Sequence, residues 1–278
     1  MPSLDYPIHN HALVQKLHLA HADYLQEYCK YDTEITGRAY YKKGNNRTFF
    51  VNDLSMKNRI ILIGDETPEL IDELIKWYDK YDAEACNIEI NPSNLYTSTQ
   101  REYPPKLIDL LIQRGFFVSS FRTVWVCLPE VSKIEFSNDI TIRRFESDEM
   151  DAFIEDLNVV DKIEDEKQAK VRDDEIRRDE GSNHWIHYIA YVDEIASATA
   201  TLFITEDVGY LAWGYTRRQA RNQGLHGYLI NERVNDSALR GCSLSFSVTN
   251  FNDQSSMNLQ RLGFRLAYNY IRFVKKLK

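Results

Sequence analysis

A basic segment with two glycines is the part of this sequence whose residue types and spacing are best suited to chemistry. Residues 210–215 are apolar or aromatic, as in a strand, and apolar residues spaced four apart from Ile230 predict a helix. The segment between them, 217–227, carries three arginines and two glycines. A helix start leaves backbone N–H groups without acceptors and carries a partial positive charge. The segment therefore predicts a phosphate or pyrophosphate site, although an ordinary strand-to-helix turn has the same order.

Two common phosphate-binding motifs are missing from the sequence. It contains no Gly-x-x-x-x-Gly-Lys-Ser/Thr, which excludes a Walker loop. No Gly-x-Gly-x-x-Gly opens the segment at 217–227, which argues against a dinucleotide-binding fold. The expected anion site must therefore belong to another architecture.

Composition limits the classes of protein and of partner. The chain has 278 residues, of which 43% are hydrophobic, enough for one large or two ordinary cored domains. A net charge of -8 argues against a general nucleic-acid binder. The four cysteines are scattered without metal-ligand spacing, and neither a signal peptide nor a membrane-spanning run is recognisable. We therefore expect a reduced, cytoplasmic protein that binds neither nucleic acid nor membrane.

Hydrophobic periodicity and turn residues predict alternating helices and strands. In the first half we expect helices over 4–30, 68–81 (capped by Thr67) and 105–115, strands over 48–51, 59–63, 86–90 and 116–128, and a turn over 37–44. After a linker over 129–138 we expect strands over 140–144, 185–192, 196–205, 209–215, 243–249 and 264–275, and helices from Ser147, over 225–240 and over 255–262. The densely charged residues 161–180 predict a solvated helix or a mobile lid.

The order helix, strand, helix, strand occurs twice, and each second helix ends in Gly-Phe, at 115–116 and at 263–264. We interpret the two halves as copies of one unit. Before the first helix of the first copy stand Asp65 and Glu66, where the second copy has arginines. Because carboxylates repel a pyrophosphate, we expect one anion site in the chain, in the second copy.

The sequence Arg221-Asn222-Gln223-Gly224-Leu225-His226 resembles the coenzyme A loop of the GNAT superfamily of N-acetyltransferases, which reads Gln/Arg-x-x-Gly-x-Gly/Ala. His226 departs from it, because Gly or Ala is usual at that position. A second stretch is similar to the Ser-x-x-Asn-x-x-Arg-x-Gly-Phe-x-x-x-Tyr pattern of a tandem GNAT subgroup. The matching residues are Ser255, Asn258, Arg261, Gly263, Phe264 and Tyr268.

The resemblance implies an α/β (α+β) fold with two GNAT-like domains, each a mixed, mostly antiparallel sheet flanked by helices. Residues 1–130 would form a degenerate domain that binds no coenzyme A, and 138–278 the acyltransferase domain. Gly214, Tyr215 and Thr216 would contact the pantetheine amides and the thioester, and Asn252 and Ser255 would contact the pantetheine arm. The pyrophosphate would be bound by 221–227, that is by Arg221, Asn222, Gln223, Gly224, Leu225, His226 and Gly227.

The acid and base are less well specified than the cofactor site. The resemblance places a tyrosine acid at position 259, which is leucine here, and a glutamate base on the strand 209–215, which has no carboxylate. Asn258 and Tyr268 are the substitutes that we predict as catalytic residues, although Tyr268 also fits a packed strand aromatic. Two further histidines, His18 and His21, share a helix face but lack a third metal ligand, and no metal is expected.

The resemblance thus implies an acyl-CoA-dependent N-acyltransferase that uses acetyl-CoA as co-substrate. A primary amine of a small molecule or peptide would attack the thioester directly, and a homodimer is one assembly the chain would allow. Two other functions stay open at this point. The missing acid and base also fit a protein that binds coenzyme A without turnover, and both domains could serve as an interaction scaffold.

Overall fold

The computed structural model describes residues 10–30, 37–51, 58–64, 67–90, 106–133, 137, 139–144, 150–180 and 182–278. The helices are α1 (His11–Lys30), α2 (Pro68–Lys76), α3 (Lys106–Gln113), α4 (Met150–Asp161), α5 (Glu166–Glu180), α6 (Leu225–Leu239) and α7 (Gln254–Arg261). The strands are β1 (Arg38–Lys43), β2 (Asn46–Val51), β3 (Arg59–Leu62), β4 (Ala85–Ile90), β5 (Phe117–Cys127), β6 (Ile140–Arg144), β7 (Trp185–Val192), β8 (Ile195–Thr205), β9 (Val208–Thr216), β10 (Leu244–Asn250) and β11 (Arg265–Lys276). Among these described residues, no helix is long and apolar enough to cross a membrane.

The contacts within the chain divide it into two compact units. The N-terminal unit contains the described residues up to 124 together with 249–253 and 266–278. The C-terminal unit contains 125–248 and 254–265. Most of the last strand, β11, therefore packs with residues from the start of the chain. The predicted domains, 1–130 and 138–278, stay a prediction about how the two copies divide the sequence.

The N-terminal unit is built on a sheet with the order β1-β2-β3-β4-β11-β5. Strands β1 and β2, β2 and β3, and β4 and β11 are antiparallel, whereas β3 and β4 are parallel over Arg59–Leu62 and Asn87–Ile90. Helix α2 begins as predicted, because Thr67 Oγ1 accepts from the backbone N–H of Leu70 at 3.2 Å. Its apolar stripe then buries Ile71 and Leu74 against the sheet.

The turn predicted over 37–44 is wrong for most of its length. Residues Arg38–Lys43 form strand β1, and only Gly44, with φ of +58°, lies in the turn that leads into β2. The glycines at the two ends of this stretch suggested a turn, but pairing with β2, from Arg38 opposite Val51 to Lys43 opposite Asn46, stabilises an extended backbone. The predicted carboxylates Asp65 and Glu66, the helix start at Pro105 and the cap at Ser147 lie outside the described residues.

A buried ionic cluster lies between α1 and the sheet of the N-terminal unit. The carboxylate of Glu89 is fully buried, and Arg272 Nη2 lies 2.6 Å from its Oε1. Burial opposes ionisation of Glu89, but Arg272 and Arg59 outweigh it and hold the pKa below its ordinary value. Burial also lowers the pKa of His18 to about 4 and that of His21 to about 3, against the opposing effect of Glu89. Both histidines are therefore neutral near pH 7.

The C-terminal unit has the strand order β10-β9-β8-β7-β6. The strands from β6 to β9 are antiparallel, as predicted, and β10 runs parallel to β9. Helix α6 packs on this sheet, and its buried side chains Leu225, Leu229 and Ile230 join the core of the unit. Of the charged residues 161–180, Glu166–Glu180 form helix α5, which packs through Ile176 beside α4 and β7.

The two Gly-Phe turns of the repeated order have the same geometry. Gly115 and Gly263 adopt φ of +81° and +83°, and the following residues, Phe116 and Phe264, each donate to a helical carbonyl five residues earlier at 3.0 Å. Both turns thus end a helix in the manner of a Schellman motif. The repeated geometry agrees with the interpretation of the chain as two copies of one unit.

Candidate functional site

A groove of about 920 Å³ opens in the C-terminal unit where β9 ends and α6 begins. One wall is the end of β9, from Gly214 to Thr216, and the second is the loop and first turn of α6. Helix α7 forms the third wall through Gln254, Ser255, Asn258, Arg261 and Leu262. The groove therefore lies where the sequence predicted an anion site.

Two irregularities of β9 open this groove. The pairing of β8 with β9 shifts register between Ala200 and Thr201, so that Trp213 is an extra residue with φ of +42°. This is a β-bulge, which bends a strand and increases its twist. On its other side, β9 pairs with β10 only over Val208–Tyr210, although all residues of both strands are described. Beyond Phe246 the backbone pairing ends, and Ser247 Oγ donates to the Leu211 carbonyl oxygen at 2.9 Å. The end of β9, residues 213–215, is exposed.

A buried guanidinium stabilises the bend. Arg233 of α6 is 2% exposed and donates to the carbonyl oxygens of Thr201 (3.3 Å) and Ala212 (3.0 Å), which are paired with each other directly before the bulge. Burial lowers its pKa to about 10, so that it stays charged at neutral pH. Its Nη2 lies 3.9 Å from the point that a Cβ on Gly214 would occupy. A positive charge therefore lies directly behind the groove.

The start of α6 points its backbone N–H groups into the groove. Gly224 is the N-cap, with φ of +80°, and it provides no side-chain acceptor for these groups. A side chain at this position would be strained by the left-handed backbone and would also meet the ring of Tyr228 at 3.3 Å. Glycine thus leaves the helix start accessible to a ligand, and the helix dipole favours an anion there.

The charges that line the groove are all positive. Arg221 lies on the loop and Arg261 on α7, and among the described residues that line the groove there is no carboxylate. Both arginine side chains are exposed, so that each could turn towards a bound anion. This arrangement fits a ligand with phosphate groups better than a cation.

A hydrogen-bonded chain of three side chains crosses the groove from α7 to α6. Gln254 Nε2 donates to Asn258 Oδ1 at 3.0 Å, and Asn258 Nδ2 lies 2.8 Å from His226 Nδ1. The other ring nitrogen, Nε2, lies 3.3 Å from the point that a Cβ on Gly214 would occupy. The imidazole is therefore held between α7 and the end of β9.

Comparison with known proteins identifies this architecture. No family model and no curated protein matches the sequence. Solved structures do match. A GCN5-related N-acetyltransferase from Kribbella flavida is 15% identical with a TM-score of 0.66, over 95% of each chain. A tandem GNAT protein from the clavulanic acid biosynthesis pathway is 10% identical with a TM-score of 0.59, over 98% of this chain and 97% of that one.

The chain has a tandem GNAT fold. A GCN5-related N-acetyltransferase from Sphaerobacter thermophilus also matches, at 13% identity and a TM-score of 0.58, over 92% of this chain and 85% of that one. The predicted fold class is thereby confirmed. At these identities the likeness establishes the GNAT fold of the chain and leaves its activity to the residues of the groove.

The groove brings together most of the residues predicted for the cofactor. Its lining includes Gly214, Tyr215, Thr216, Arg221, Asn222, Gly224, Leu225, His226, Gly227, Ser255 and the predicted catalytic residue Asn258. The exceptions are Gln223, Asn252 and Tyr268. Gln223 is exposed on the loop, and Asn252 belongs to the N-terminal unit. Their predicted roles stay predictions.

Tyr268, the second predicted catalytic residue, lies on β11 in the N-terminal unit. Its hydroxyl is 3.4 Å from Nδ1 of the buried His18. The groove lining therefore contains Asn258 but does not contain Tyr268.

Leu259, at the position of the tyrosine acid in the resemblance, faces the core of the C-terminal unit and is 2% exposed. The neighbouring Asn258 faces the groove instead. A side chain at position 259 thus points away from the groove.

Four residues of the groove were not predicted as site residues from the sequence. Ala220, Gln254, Arg261 and Leu262 also line it. Arg261 was matched as part of a motif but received no role. The signal that could have found the last three is helical spacing, since positions 254, 258, 261 and 262 share one face of α7 with Ser255.

A second groove, of about 780 Å³, lies between α4 and α5 in the same unit. Four carboxylates line it, those of Asp151, Glu155, Glu164 and Asp173, together with Lys162, Lys170 and Arg217. Arg217 directly follows Thr216, which lines the first groove. Both grooves therefore reach the end of β9, from opposite faces of the sheet, because α6 packs on the face of Tyr188 whereas α4 and α5 pack on the face of Ile189.

Proposed function

We propose that the C-terminal unit binds acetyl-CoA in the groove at the start of α6 and transfers the acetyl group to a primary amine. The observation that carries this proposal is the combination of an accessible helix start, two lining arginines and a strand β9 whose backbone pairing with β10 ends at Tyr210. A helix start with adjacent arginines suits a pyrophosphate. The exposed end of this strand offers its backbone to a ligand with amide groups, such as pantetheine.

The cofactor would then lie along the groove with its pyrophosphate at residues 224–227, near Arg221 and Arg261. Its pantetheine arm would follow β9 towards Gly214. The thioester would lie beside Gly214, which has no side chain, and the buried positive charge of Arg233 lies behind the strand at this point. With the cofactor in this orientation, the reactive carbonyl would lie at the end of β9, next to Arg217 and the second groove.

The reaction that we propose is direct attack without an acyl-enzyme. The amine nitrogen forms a bond to the thioester carbon, the carbon–sulfur bond breaks, and coenzyme A leaves as a thiolate. The substrate ammonium first gives one proton to solvent, so that the free amine attacks, and the nitrogen gives a second proton to solvent after its bond to carbon has formed. Solvent takes these protons because β9 has no carboxylate over Val208–Thr216. Thiols have pKa values near ~8.5, so the thiolate can leave without a strong acid.

The amine would enter through the groove between α4 and α5. Its carboxylates suit a cationic substrate, and its end at Arg217 adjoins the proposed thioester position. The pairing of Arg177 with Asp173 at 2.9 Å and with Asp151 occupies two of these carboxylates. Glu155 and Glu164 are then the acidic groups best suited to attract an ammonium.

A protein that binds coenzyme A without turnover is the second candidate. The burial of Leu259 and the lack of a carboxylate on β9 favour it, since general-acid and general-base help is typically worth ~10²–10⁴-fold in rate. Both candidates use the same groove. They differ in whether an amine leads to release of the thiol.

Titration calorimetry with coenzyme A tests the site that both candidates share. The variant that replaces Arg221 and Arg261 with Gln should bind at least about 10-fold more weakly, because two charged contacts to phosphate are lost. Arg265→Gln, at an exposed residue outside the groove lining, is the matched control and should keep the wild-type affinity. Equal affinity of all three proteins would contradict the assigned groove.

A further inference from the structure

We propose that His226 is a catalytic residue whose Nε2–H donates a hydrogen bond to the thioester carbonyl oxygen, and that Asn258 is the positioning residue that fixes its tautomer. This inference rests on the proposed function and names the group that stabilises the developing negative charge. The GNAT loop usually has glycine or alanine at the position of His226. The departure therefore introduces a polar side chain where the resemblance expects none.

The imidazole of His226 lies beside the end of β9. His226 belongs to the first turn of α6, and its Nε2 lies 3.3 Å from the point that a Cβ on Gly214 would occupy. Glycine at position 214 leaves room for this approach. The imidazole edge is thus directed to the part of β9 along which the proposed acyl group would lie.

The orientations of the Gln254 and Asn258 amides assign the proton of the imidazole, whose donor and acceptor roles depend on its tautomer. Gln254 Nε2 donates to Asn258 Oδ1, which orients the Asn258 amide so that Nδ2 faces His226 Nδ1. An amide N–H can only donate, so Nδ1 of the imidazole accepts. In the neutral ring the proton is then on Nε2. This assignment makes Nε2 a donor at the end of β9.

The chemistry of acyl transfer gives such a donor a role. When the amine nitrogen bonds to the thioester carbon, the carbonyl electron pair moves to the oxygen, which becomes negative. When the carbon–sulfur bond breaks, that pair reforms the carbonyl and the thiol sulfur takes the charge. The imidazole keeps its proton throughout and acts as a hydrogen-bond donor, since a neutral imidazole is too weak an acid to give it up. A fixed donor at a developing oxyanion is typically worth ~10²–10³-fold in kcat.

The other charges around the imidazole are compatible with this role. Arg221 and Arg261 line the same groove, and Arg233 lies behind Gly214. Asn258 and Gln254, the hydrogen-bonding residues of α7 in the chain, are uncharged, and no carboxylate is among the described residues that line the groove. The groove lining therefore offers no anionic partner to a protonated ring.

Two variants and a spectrum test the proposal. His226→Ala removes the donor, and we expect kcat to fall about 10²-fold while the dissociation constant for acetyl-CoA changes less than about threefold. Gln260→Ala, at an exposed position of α7, is the control and should leave both values unchanged. Nitrogen-15 NMR of the wild-type imidazole should show a protonated Nε2 and an unprotonated Nδ1.

Asn258→Asp tests the positioning role through a pH profile. A carboxylate accepts from Nδ1–H, so the neutral ring carries its proton on Nδ1 and Nε2 loses its donor. At low pH the protonated ring still donates from Nε2. We therefore expect the ratio of variant to wild-type kcat to fall as pH rises through the titration of His226. A residue with a purely structural role would give a ratio that is independent of pH.

The outcomes separate this inference from the function on which it rests. A wild-type protein that transfers no acyl group would overturn both. Wild-type transfer that His226→Ala leaves unchanged would overturn the role of His226 alone. A spectrum with the proton on Nδ1, or a loss in kcat/KM that arises entirely from weaker acetyl-CoA binding, would also overturn that role.

Discussion

The side-chain amide of Asn258 lies 2.8 Å from Nδ1 of His226 and so joins helix α7 to the first turn of α6 across the groove. The two residues are 32 positions apart in the chain. Their contact connects the two parts of the sequence that carried the resemblance, the loop at 221–227 and the helix from Ser255. The groove is therefore a single site with walls from both motifs.

The helix start at Gly224 gives the first prediction. Gly224→Glu should abolish detectable coenzyme A binding, because a carboxylate at the start of α6 opposes the pyrophosphate and the side chain fills its approach. The backbone strain of this change should cost about 1 kcal/mol, which leaves the fold intact. The measurement is titration calorimetry, with circular dichroism as the check on folding.

Gly241→Glu is the matched control for Gly224→Glu. Gly241 follows the other end of α6 and has a similar φ of +75°, with no atom within 4 Å of an added Cβ. The control variant therefore shares the backbone strain and the added charge but not the groove. If both variants lost coenzyme A to the same degree, strain rather than the site would be responsible.

Coenzyme A stoichiometry gives the second prediction. We expect one coenzyme A per chain, because in the C-terminal unit the backbone pairing of β9 with β10 ends at Tyr210 and Phe246, whereas β3 and β4 of the N-terminal unit are paired up to Leu62 and Ile90. The measurement is the molar ratio at saturation, by calorimetry or by native mass spectrometry. A ratio near two would show that the N-terminal unit also has a site.

The core position of Leu259 gives the third prediction. Leu259→Tyr should destabilise the protein by about 1–3 kcal/mol and should not raise the transfer rate, because the side chain enters a filled core and not the groove. Met257→Tyr is the control, since Met257 is 37% exposed on the same helix, and its stability should be close to wild type. Thermal unfolding and thiol release measure the two effects. A faster rate in Leu259→Tyr would show that α7 presents position 259 to the substrate.

Buried histidines give the fourth prediction, on stability against pH. Folding lowers the pKa of His18 from 6.5 to about 4 and that of His21 to about 3, so protonation favours the unfolded chain. The contribution of the two neutral histidines to the free energy of unfolding is fully present above pH 6.5 and is lost as the pH falls from there towards 4. Lowering the pH from 7.5 to 5.5 should reduce the free energy of unfolding by about 1 kcal/mol for each histidine.

Urea unfolding of two histidine variants at these two pH values tests that prediction. His18→Gln should reduce the loss of stability, because the titrating group is gone. His11→Gln is the control, since His11 is exposed at the start of the same helix, and it should show the wild-type loss. Identical pH dependence in both variants would mean that His18 does not titrate on unfolding.

The sequence predicted much of the fold because local signals and tertiary contacts agreed. Residue patterns predicted the strands β7 to β9, the cap at Thr67 and the two Gly-Phe turns, and the structure has all of them. Strand β1 was missed because Gly37 and Gly44 at its two ends favour a turn, and pairing with β2 makes the residues between them a strand. Propensity alone could not supply that partner.

The site was predictable only in part for a similar reason. Arg221 to Gly227 are contiguous, so the loop could be recognised from its order. The direction in which α7 presents its side chains depends on how that helix packs, which places Asn258 in the groove and Leu259 in the core. The same packing brings His226 against Asn258. No spacing in the sequence predicted that contact.

Acyl transfer in the groove of the C-terminal unit can be measured directly. The wild-type chain is incubated with carbon-13-labelled acetyl-CoA and a panel of primary amines, followed by mass spectrometry and by measurement of thiol release. We predict labelled N-acetyl product in equal amount to released thiol for at least one amine, and none with Gly224→Glu. Saturable binding of acetyl-CoA with no labelled product from any amine in the panel would contradict the account and favour a protein that binds coenzyme A without turnover.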